Sequence, residues 1–339
     1  MKRVLLVLSL FASALIVPLN CGGEREQVIV DGSSTVFPIS REVSSRFQQQ
    51  TDKPYFAPVS SHGTGGGFKK YVRGESDIND ASRPITPSEL EKARKNDIGI
   101  IELPIAYDGV SVVVNNENDW VDHLTMEELK KIWQPNSSVD TWSDLRSSFP
   151  DEPIKLFGPD TESGTFDFFT ETVVGEAGKS RKDYSPNSDD NVLVQGVAGN
   201  KYALGYFGYA YYAANKDKLN IVSVKAGEDP VEPTKQTIAE GKYPLARPLF
   251  IYVRPDAAER DVVQAYVDFY LNNAPEAVQA AGYVPLPDEL YKQVHQKFKQ
   301  RVTGTMYGDD YPADATLPER LKMSLEQAGK DSSGNTGGE

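Results

Sequence analysis

Short apolar runs alternate with polar, amphipathic stretches along most of the chain. The run QVIVDG from Gln27 and the run YFAPV from Tyr55 have the apolar alternation typical of strands. The stretch Ile39–Gln49 predicts a helix, and FKKYVRGE from Phe68 begins another. Two further strand-like runs follow at 98–106 and 110–114. This order of strands, loops and helices predicts an α/β sheet.

The same order continues through the rest of the chain. LTMEELKKIW is an amphipathic helix after the cap Thr125, and SELEKARKN has a capping-box pattern with Ser88 and Glu91. Further strands are predicted in IKLFGPD, NKYALGYFGY, IVSVKAG and PLARPLFIYV, with a helix near Glu259–Asn272. We interpret the aromatic residues from Tyr202 to Tyr212 as a buried strand and the helix packed on it.

The two ends of the chain differ from this pattern. Val4–Val17 is an uncharged apolar run behind a basic start, and it is shorter than the about 20 residues of a membrane span. Residues 1–20 therefore predict a secretory signal peptide. Cys21 follows where bacterial lipoproteins carry a lipidated cysteine, and we expect it to anchor the protein to a membrane, an ordinary cleaved signal being the alternative. Residues 326–339 are predicted to form a disordered tail.

Charge and composition exclude several classes of function. The chain has 36 Lys and Arg against 49 Asp and Glu, a net charge of −13. Nucleic-acid affinity depends on cations that neutralise phosphates, so we expect no nucleic-acid partner. The three histidines are far apart in the sequence and there is one cysteine, so we expect no metal site and no cofactor. The acidic pairs Asp189-Asp190 and Asp309-Asp310 are interpreted as solvated surface.

Three loops between a strand and a helix are rich in Ser, Thr and Gly. They are GSST at 32–35, GTGGG at 63–67 and ESGT at 162–165. The first turn of a helix has N–H groups without intrahelical partners and carries partial positive charge. If the three loops converge, they form an anion site without a net positive charge. Each loop alone also fits ordinary caps and turns.

These loops do not match the common nucleotide or hydrolase motifs. GTGGGFKKY lacks the Gly-Lys-Ser/Thr of a P-loop, and Phe68 stands where GxGxxG needs its last glycine. Thr161 precedes Ser163 by two positions, so there is no GxSxG motif. An exported phosphatase that uses Ser163 is the enzymatic alternative, and it would need a base that the sequence does not show.

The loops lie in stretches that resemble the PstS-type substrate-binding proteins of bacterial phosphate ABC transporters. The matching stretches are DGSSTVFPIS, SSHGTGGGFKKYVRGESDINDASRPI, LTMEELKKIW, FGPDTESGTFDFF and QGVAGNKYALGYFGYAYY, which cover most of residues 28–255. The resemblance implies a two-lobed periplasmic-binding-protein fold of type II, with two crossing hinge strands and the ligand in the cleft. We expect the first lobe at 28–107 plus 247–325, the second at 113–240, and the crossings near Tyr107–Val112 and Leu245–Val253.

The same resemblance implies a function and a set of ligand contacts. The protein would bind inorganic phosphate outside the inner membrane, in the periplasm or cell envelope, and deliver it to the transmembrane subunits of an ABC permease without catalysis. The hydroxyl and amide groups implied to bind phosphate belong to Ser34, Thr35, Val36, Thr64, Ser163, Gly164 and Thr165.

Two positions depart from the family pattern. Members carry an arginine four residues before the SGT serine, where this chain has Pro159, and an aspartate that accepts the phosphate proton, where this chain has Arg83. We expect Arg83 to supply the charged contact, with Ser82 beside it. The alternative is that Arg83 only pairs with a nearby acid such as Asp80.

Because Arg83 stands in place of the usual aspartate, the residue that accepts the phosphate proton is not identified. Phosphate near neutral pH carries a proton and sulfate does not, so a carboxylate in the cleft would reject sulfate. The candidate acceptors are Asp160, Glu162 and Asp108. Molybdate, tungstate or sulfate remain alternative ligands, and a role in adhesion or sensing is an alternative to transport.

Overall fold

The computed structural model describes residues 26–161, 163–187, 189–312 and 315–334. Within these ranges the strands are β1 (Glu26–Gln27), β2 (Val30–Gly32), β3 (Tyr55–Phe56), β4 (Ile78–Ala81), β5 (Ile101–Asn115), β6 (His123–Thr125), β7 (Lys155–Pro159), β8 (Ser185–Asn187), β9 (Ala203–Gly208), β10 (Leu219–Lys225), β11 (Ala246–Val253) and β12 (Val284–Pro285). The helices are α1 (Phe37–Gln50), α2 (Thr64–Tyr71), α3 (Pro87–Lys95), α4 (Met126–Trp133), α5 (Trp142–Leu145), α6 (Gly164–Phe169), α7 (Asp190–Ala198), α8 (Tyr209–Ala213), α9 (Lys235–Ala239), α10 (Asp261–Ala280), α11 (Asp288–Lys299) and α12 (Leu317–Gly334). A π-helical turn, Thr170–Val174, continues α6. The predicted signal peptide 1–20, the predicted lipidation site Cys21 and the acceptor candidate Glu162 lie outside the described residues.

A mixed sheet runs through the molecule in the order β2-β4-β11-β5-β9-β7-β8. The long strand β5 is shared: its first part, Ile101–Gly109, pairs with β11, and its last part, Val110–Asn115, pairs with β9 and β10. The first lobe is therefore built on β2, β4 and β11, and the second on β9, β7 and β8. β5 and β11 are the strands that connect them. This is the predicted two-lobed α/β fold, while the exact lobe boundaries stay a prediction.

The connecting strand β5 corrects one detail of the sequence analysis. Two separate apolar runs were predicted at 98–106 and 110–114, but the chain forms one continuous strand that is buried along its whole length. Asp108 and Gly109 interrupt the apolar pattern. They are tolerated inside the strand because Asp108 lies opposite Arg247 of β11, which supplies its partner.

Aromatic clusters fill the core of each lobe. In the first lobe, Phe47 of α1 meets Tyr266 and Phe269 of α10 edge-on, each at 5.3 Å between ring centroids. In the second lobe, Tyr206 of β9 stacks on Phe169 at 3.7 Å. Burial of each such side chain contributes about 1.5–3 kcal/mol. Tyr206, Phe207, Tyr209 and Tyr212 are buried as the sequence predicts for this run.

Several helix boundaries differ from the prediction. The capping box of α3 is formed by Thr86 and Glu89, not by Ser88 and Glu91, because the helix already begins at Pro87, a residue that favours the first turn. α12 continues to Gly334, into the segment predicted as a tail, because LKMSLEQAGK is rich in strong helix formers. No helix in the described part of the chain combines the length and apolar character that a membrane crossing needs.

Candidate functional site

The first of the three loops is a tight turn between β2 and α1. The Ser33 hydroxyl accepts hydrogen bonds from the N–H groups of Thr35, at 3.1 Å, and Val36, at 3.4 Å. Gly32 has φ +141°, and a Cβ there would overlap the Asp80 carbonyl oxygen, so only glycine allows β2 and β4 to approach this closely. The turn leaves Ser34 and Thr35 facing the cleft and buries Val36 at the start of α1.

The third loop lies directly against the first. Ser163 caps α6, since its hydroxyl accepts the N–H of Thr165 at 3.2 Å. A Cβ on Gly164 would overlap Thr35 Oγ1 and lie 3.0 Å from Thr35 Cβ. Gly164 thus belongs to the second lobe and touches the first lobe with its backbone. The missing side chain is what allows the two loops to meet.

The two loops line a cavity of about 350 Å³ between the lobes. A water molecule takes about 30 Å³, so this space holds a small anion together with several waters. The predicted site residues on its wall are Ser34, Thr35, Asp160, Ser163, Gly164 and Thr165, and the further lining residues include Asp190, Gly208, Tyr211 and Tyr283. None of the described lining residues is a histidine.

Arg247 supplies the positive charge at the point where the loops meet. Its Nη2 donates to the Gly164 carbonyl oxygen at 3.0 Å and to Thr35 Oγ1 at 3.3 Å. Nε and Nη2 both donate to Asp108 Oδ2 at 3.2 Å. The guanidinium also lies over the ring of Phe168, 4.2 Å from its centroid, a cation–π arrangement. One arginine therefore contacts both lobes.

Sequence reasoning missed Arg247. A single arginine in the apolar run PLARPLFIYV has no motif around it. Its role depends on the pairing of β11 with β5, which sets Arg247 opposite Asp108, a residue 139 positions away. The signal in the sequence was that Arg247 and Asp108 both lie in the predicted crossing strands. Opposite charges that are buried in two such apolar strands are expected to pair with each other.

Asp108, a predicted acceptor candidate, lies behind Arg247 and is not among the residues on the cavity wall. Burial raises the pKa of its carboxyl group, and the charge and hydrogen bonds of Arg247 lower it only in part. Its Oδ1 atom has no hydrogen-bond partner within the described ranges. Asp108 therefore acts as the buried counter-charge that orients the guanidinium.

The second loop forms a separate cluster. Thr64 Oγ1 lies 3.1 Å from Ser82 Oγ and accepts the N–H of Ser82 at 3.1 Å. These residues and Arg83 do not line the cavity that holds the other two loops. The structure thus brings together the first and third loops and places Thr64, Ser82 and Arg83 beside them.

Arg83 does pair with a nearby acid, although not with the one named in the sequence analysis. Its Nη1 and Nη2 donate to Glu89 at 2.9 and 3.0 Å, and not to Asp80. Burial would raise the pKa of Glu89, but hydrogen bonds from Arg83 and Thr86 outweigh it and lower that pKa. Contact between Arg83 and phosphate stays a prediction.

The sequence analysis interpreted Asp190 as part of the solvated surface, and this prediction was wrong. Asp189 caps α7 by accepting the N–H of Asn191, while Asp190 begins the helix and faces the cavity. Burial raises the pKa of Asp190 to about 6, against the effect of a hydrogen bond from the Gly208 N–H. Asp190 and the predicted candidate Asp160 are therefore the two described carboxylates on the cavity wall.

A family model described as a PBP superfamily domain matches residues 22–274. Protein SphX of Synechocystis sp. (strain PCC 6803) is 43% identical over 301 residues, 88% of this chain and 89% of the relative. The phosphate-binding protein PstS of Staphylococcus haemolyticus is 42% identical over 275 residues, 80% of this chain and 84% of the relative.

A solved structure is also similar to this chain. The crystal structure of a possible phosphate binding protein from Planctomyces limnophilus matches with a TM-score of 0.76 and 44% identity, covering 81% of this chain and 98% of that one. The region matched by the family model includes the three loops, Asp190 and Arg247.

Proposed function

This chain belongs to the PBP superfamily and to the family of the PstS and SphX proteins, and we propose that it binds inorganic phosphate between its lobes and delivers it to an ABC permease for import. The observation that carries the proposal is the cavity lined by two Ser- and Thr-rich loops, with the Arg247 guanidinium hydrogen-bonded to Thr35 and Gly164 of those loops. The names of the relative from S. haemolyticus and of the structure from P. limnophilus agree with this ligand.

The cavity offers the contacts that a small oxyanion needs. Four hydroxyl groups line the space, and they belong to Ser34, Thr35, Ser163 and Thr165. Micromolar affinity corresponds to about −8.2 kcal/mol. A hydrogen bond to a charged group contributes about 1.5–3 kcal/mol net, so a few of them with one guanidinium supply this energy. A chain with a net negative charge can therefore bind an anion, because the hydrogen-bond donors are concentrated at this cavity.

Closure of the two lobes is the proposed mechanism. β5 and β11 connect the lobes, and the first and third loops touch across the cleft at Thr35 and Gly164. A phosphate held by both loops favours the closed state by its differential affinity for that state. The permease subunits would then recognise the closed form.

The proposal places the protein outside the inner membrane. The predicted signal peptide 1–20 would direct export, and the predicted lipidation of Cys21 would hold the mature chain at the membrane surface. Metabolic labelling with a fatty acid tests the anchor: the label enters the wild type and is absent from Cys21→Ala.

Calorimetric titration of the ligand-stripped protein with phosphate tests the binding function. Arg247→Gln alone would leave Asp108 buried without a partner, which costs about 3–5 kcal/mol of stability. The test variant is therefore Arg247→Gln with Asp108→Asn, which removes both charges. We expect its affinity for phosphate to fall about 10- to 100-fold, as the loss of a charged hydrogen bond implies.

Two further arginine variants complete the experiment. Arg46→Gln is the matched control, because Arg46 pairs with Glu42 and Glu276 on the surface of the first lobe. Arg83→Gln tests the prediction made from the sequence. A wild type that does not bind phosphate would refute the proposed function. If Arg83→Gln lost more phosphate affinity than the double variant, Arg83 and not Arg247 would make the charged contact with phosphate.

A further inference from the structure

We propose that the cavity between the lobes also takes phosphate monoesters of small polyols. The phosphoryl group would lie on the two Ser- and Thr-rich loops, and the polyol would lie against Tyr211 and Tyr283. This inference rests on the proposed phosphate-binding function and extends it to a wider class of ligand. Glycerol 3-phosphate is a simple member of that class.

The cavity is larger than inorganic phosphate requires. Its volume is about 350 Å³. Since a water molecule takes about 30 Å³ in the liquid, this is the volume of about a dozen waters. A phosphate ion, with its single phosphorus and four oxygen atoms, fills only part of the space. Sites for small molecules usually bury most of the ligand surface, so the remaining volume suits an organic group attached to one phosphate oxygen.

Two contacts between the lobes bound the cavity. The first is the contact of Gly164 with Thr35. The second is formed by Gly282, which follows α10 in the first lobe, and the ring of Tyr211 in α8 of the second lobe. A Cβ on Gly282 would lie 3.6 Å from Tyr211 Cε2, and the backbone there has φ +86°, which favours glycine. All four residues lie on the cavity wall, so the cavity extends from the loops to the tyrosine.

The wall beyond the two loops has a different chemical character. Pro38, Ala281 and Gly282 present C–H groups to the cavity, and Tyr211 and Tyr283 present aromatic rings. Such groups cannot replace the water around a phosphoryl oxygen, because a polar group that is buried without a hydrogen bond is destabilised. The carbon chain of a polyol is stabilised by the same contacts, since they remove apolar surface from water. This end of the cavity therefore favours an organic group.

Asp190 adds an acceptor for ligand hydroxyl groups. Its carboxylate accepts the Gly208 N–H, and a carboxylate has about four lone-pair sites, so further hydrogen bonds are open to it. A hydroxyl group on carbon donates to such an acceptor. A phosphoryl oxygen of the ester would instead face it as a second acceptor of like charge. Asp190 therefore favours the hydroxyl-bearing part of the ester at this wall and the phosphoryl group at the loops.

The phenols of Tyr211 and Tyr283 add hydrogen-bonding groups to the same wall. Burial raises the pKa of both phenols, and the negative charge of Asp190 acts in the same direction. Both phenols therefore stay protonated near neutral pH, and a phenol can donate to a hydroxyl group or accept from one. Together with the carboxylate, they suit a ligand that carries several hydroxyl groups better than one that carries a plain alkyl chain.

Calorimetric titration of the ligand-stripped protein at pH 8 tests the inference, with inorganic phosphate, glycerol 3-phosphate and glycerol as the three ligands. Burial raises the pKa of Asp190 to about 6, so its carboxylate is ionised at this pH. We expect glycerol 3-phosphate to bind with an affinity within about 10-fold of that of phosphate, and glycerol to give no binding heat. Excess phosphate should abolish the heat of ester binding, because both ligands place a phosphoryl group on the same loops.

Two variants alter the tyrosine end of the cavity. Ala281→Leu puts a larger side chain there and should lower the affinity for the ester at least about 10-fold more than the affinity for phosphate. Tyr211→Ala should act in the same selective way, because the polyol loses the contact with the ring. Ala214→Leu is the matched control, since Ala214 also directly follows a helix with a helical backbone but is exposed and does not line the cavity. It should match the wild type with both ligands.

The outcomes for the ester and for phosphate are separable. A wild type that binds phosphate but not glycerol 3-phosphate overturns the inference and leaves the proposed function intact, and so does ester binding that excess phosphate does not displace. Equal losses for both ligands in Ala281→Leu and in Tyr211→Ala overturn the placement of the polyol against the tyrosines. A wild type that does not bind phosphate overturns the proposed function itself. Should Ala281→Leu fail to fold, Tyr211→Ala gives the ratio of the two affinities.

Discussion

The contact between Gly164 and Thr35 allows a prediction of how a substitution affects closure of the two lobes. In Gly164→Ala, the new methyl group would overlap Thr35 Oγ1 and lie 3.0 Å from Thr35 Cβ and 3.3 Å from Thr35 N. The backbone at Gly164 is helical and suits alanine, so the variant has no local strain. The overlap lies between the two lobes. It therefore acts on the closed state and is relieved when the lobes separate.

The size of the effect follows from the packing. Forcing an extra methyl group into a packed contact costs about 1–3 kcal/mol. A central value of about 2 kcal/mol weakens phosphate binding about 30-fold. At a phosphate concentration of 100 Kd, the wild type gains about 2.7 kcal/mol of stability, and a variant weakened 30-fold gains about 0.9 kcal/mol. The ligand-free protein should unfold at the same temperature as the wild type.

Thermal unfolding with and without phosphate measures the stability gained on binding, and calorimetric titration measures the phosphate affinity. Gly227→Ala is the matched control, because a Cβ there meets no atom within 4 Å. Unchanged phosphate affinity in Gly164→Ala would refute the reasoning, since it would mean that closure does not need the contact. A lower unfolding temperature without ligand would show that the overlap acts within the folded ligand-free protein.

Two further predictions concern stability. Glu89→Ala removes the side chain that pairs with Arg83 and closes the capping box of α3, and it should lower the free energy of unfolding by about 1–2 kcal/mol. Urea unfolding measures this loss, and phosphate affinity measured in parallel should not change; a normal stability would contradict the assigned role. Asp80 is buried, which raises its pKa to about 8, against a hydrogen bond from Ser40. The folded protein then binds the proton more tightly than the unfolded chain, so stability falls by up to about 1.4 kcal/mol per pH unit between pH 4 and pH 8 and levels above pH 8. Asp80→Asn should reduce this slope in urea unfolding at pH 5, 6, 7 and 8, and an unchanged slope would assign it to other groups.

The sequence predicted the local elements of the site well. The three loops rich in Ser, Thr and Gly do open helices, at α1, α2 and α6. Their hydroxyl and glycine content is a local property, so it can be recognised without knowing the fold. The family resemblance placed the crossing strands near Tyr107–Val112 and Leu245–Val253, and β5 and β11 pass through these two ranges.

The pairing of charges was not predictable from local patterns. Arg83 stood out because it followed a recognisable pair of residues, but Glu89, six positions on, satisfies its guanidinium. Arg247 and Asp108 become partners only through the register of β11 on β5. Asp190 was assigned to the surface with Asp189, yet the two neighbours face different surroundings as α7 begins. Long-range geometry decides which charge enters a cleft.

The position of Arg247 affects the order of events in capture. Arg247 and Asp108 lie side by side on the two strands that connect the lobes. Arg247 thus lies on a strand that connects the walls, and with the proposed function its guanidinium would attract an arriving anion whether the walls are apart or together. Electrostatic attraction then governs the rate of encounter, whereas contacts between the walls, such as Thr35 with Gly164, govern the rate of escape. Because the two rates depend on different residues, the uptake speed and the residence time of the ligand can change independently.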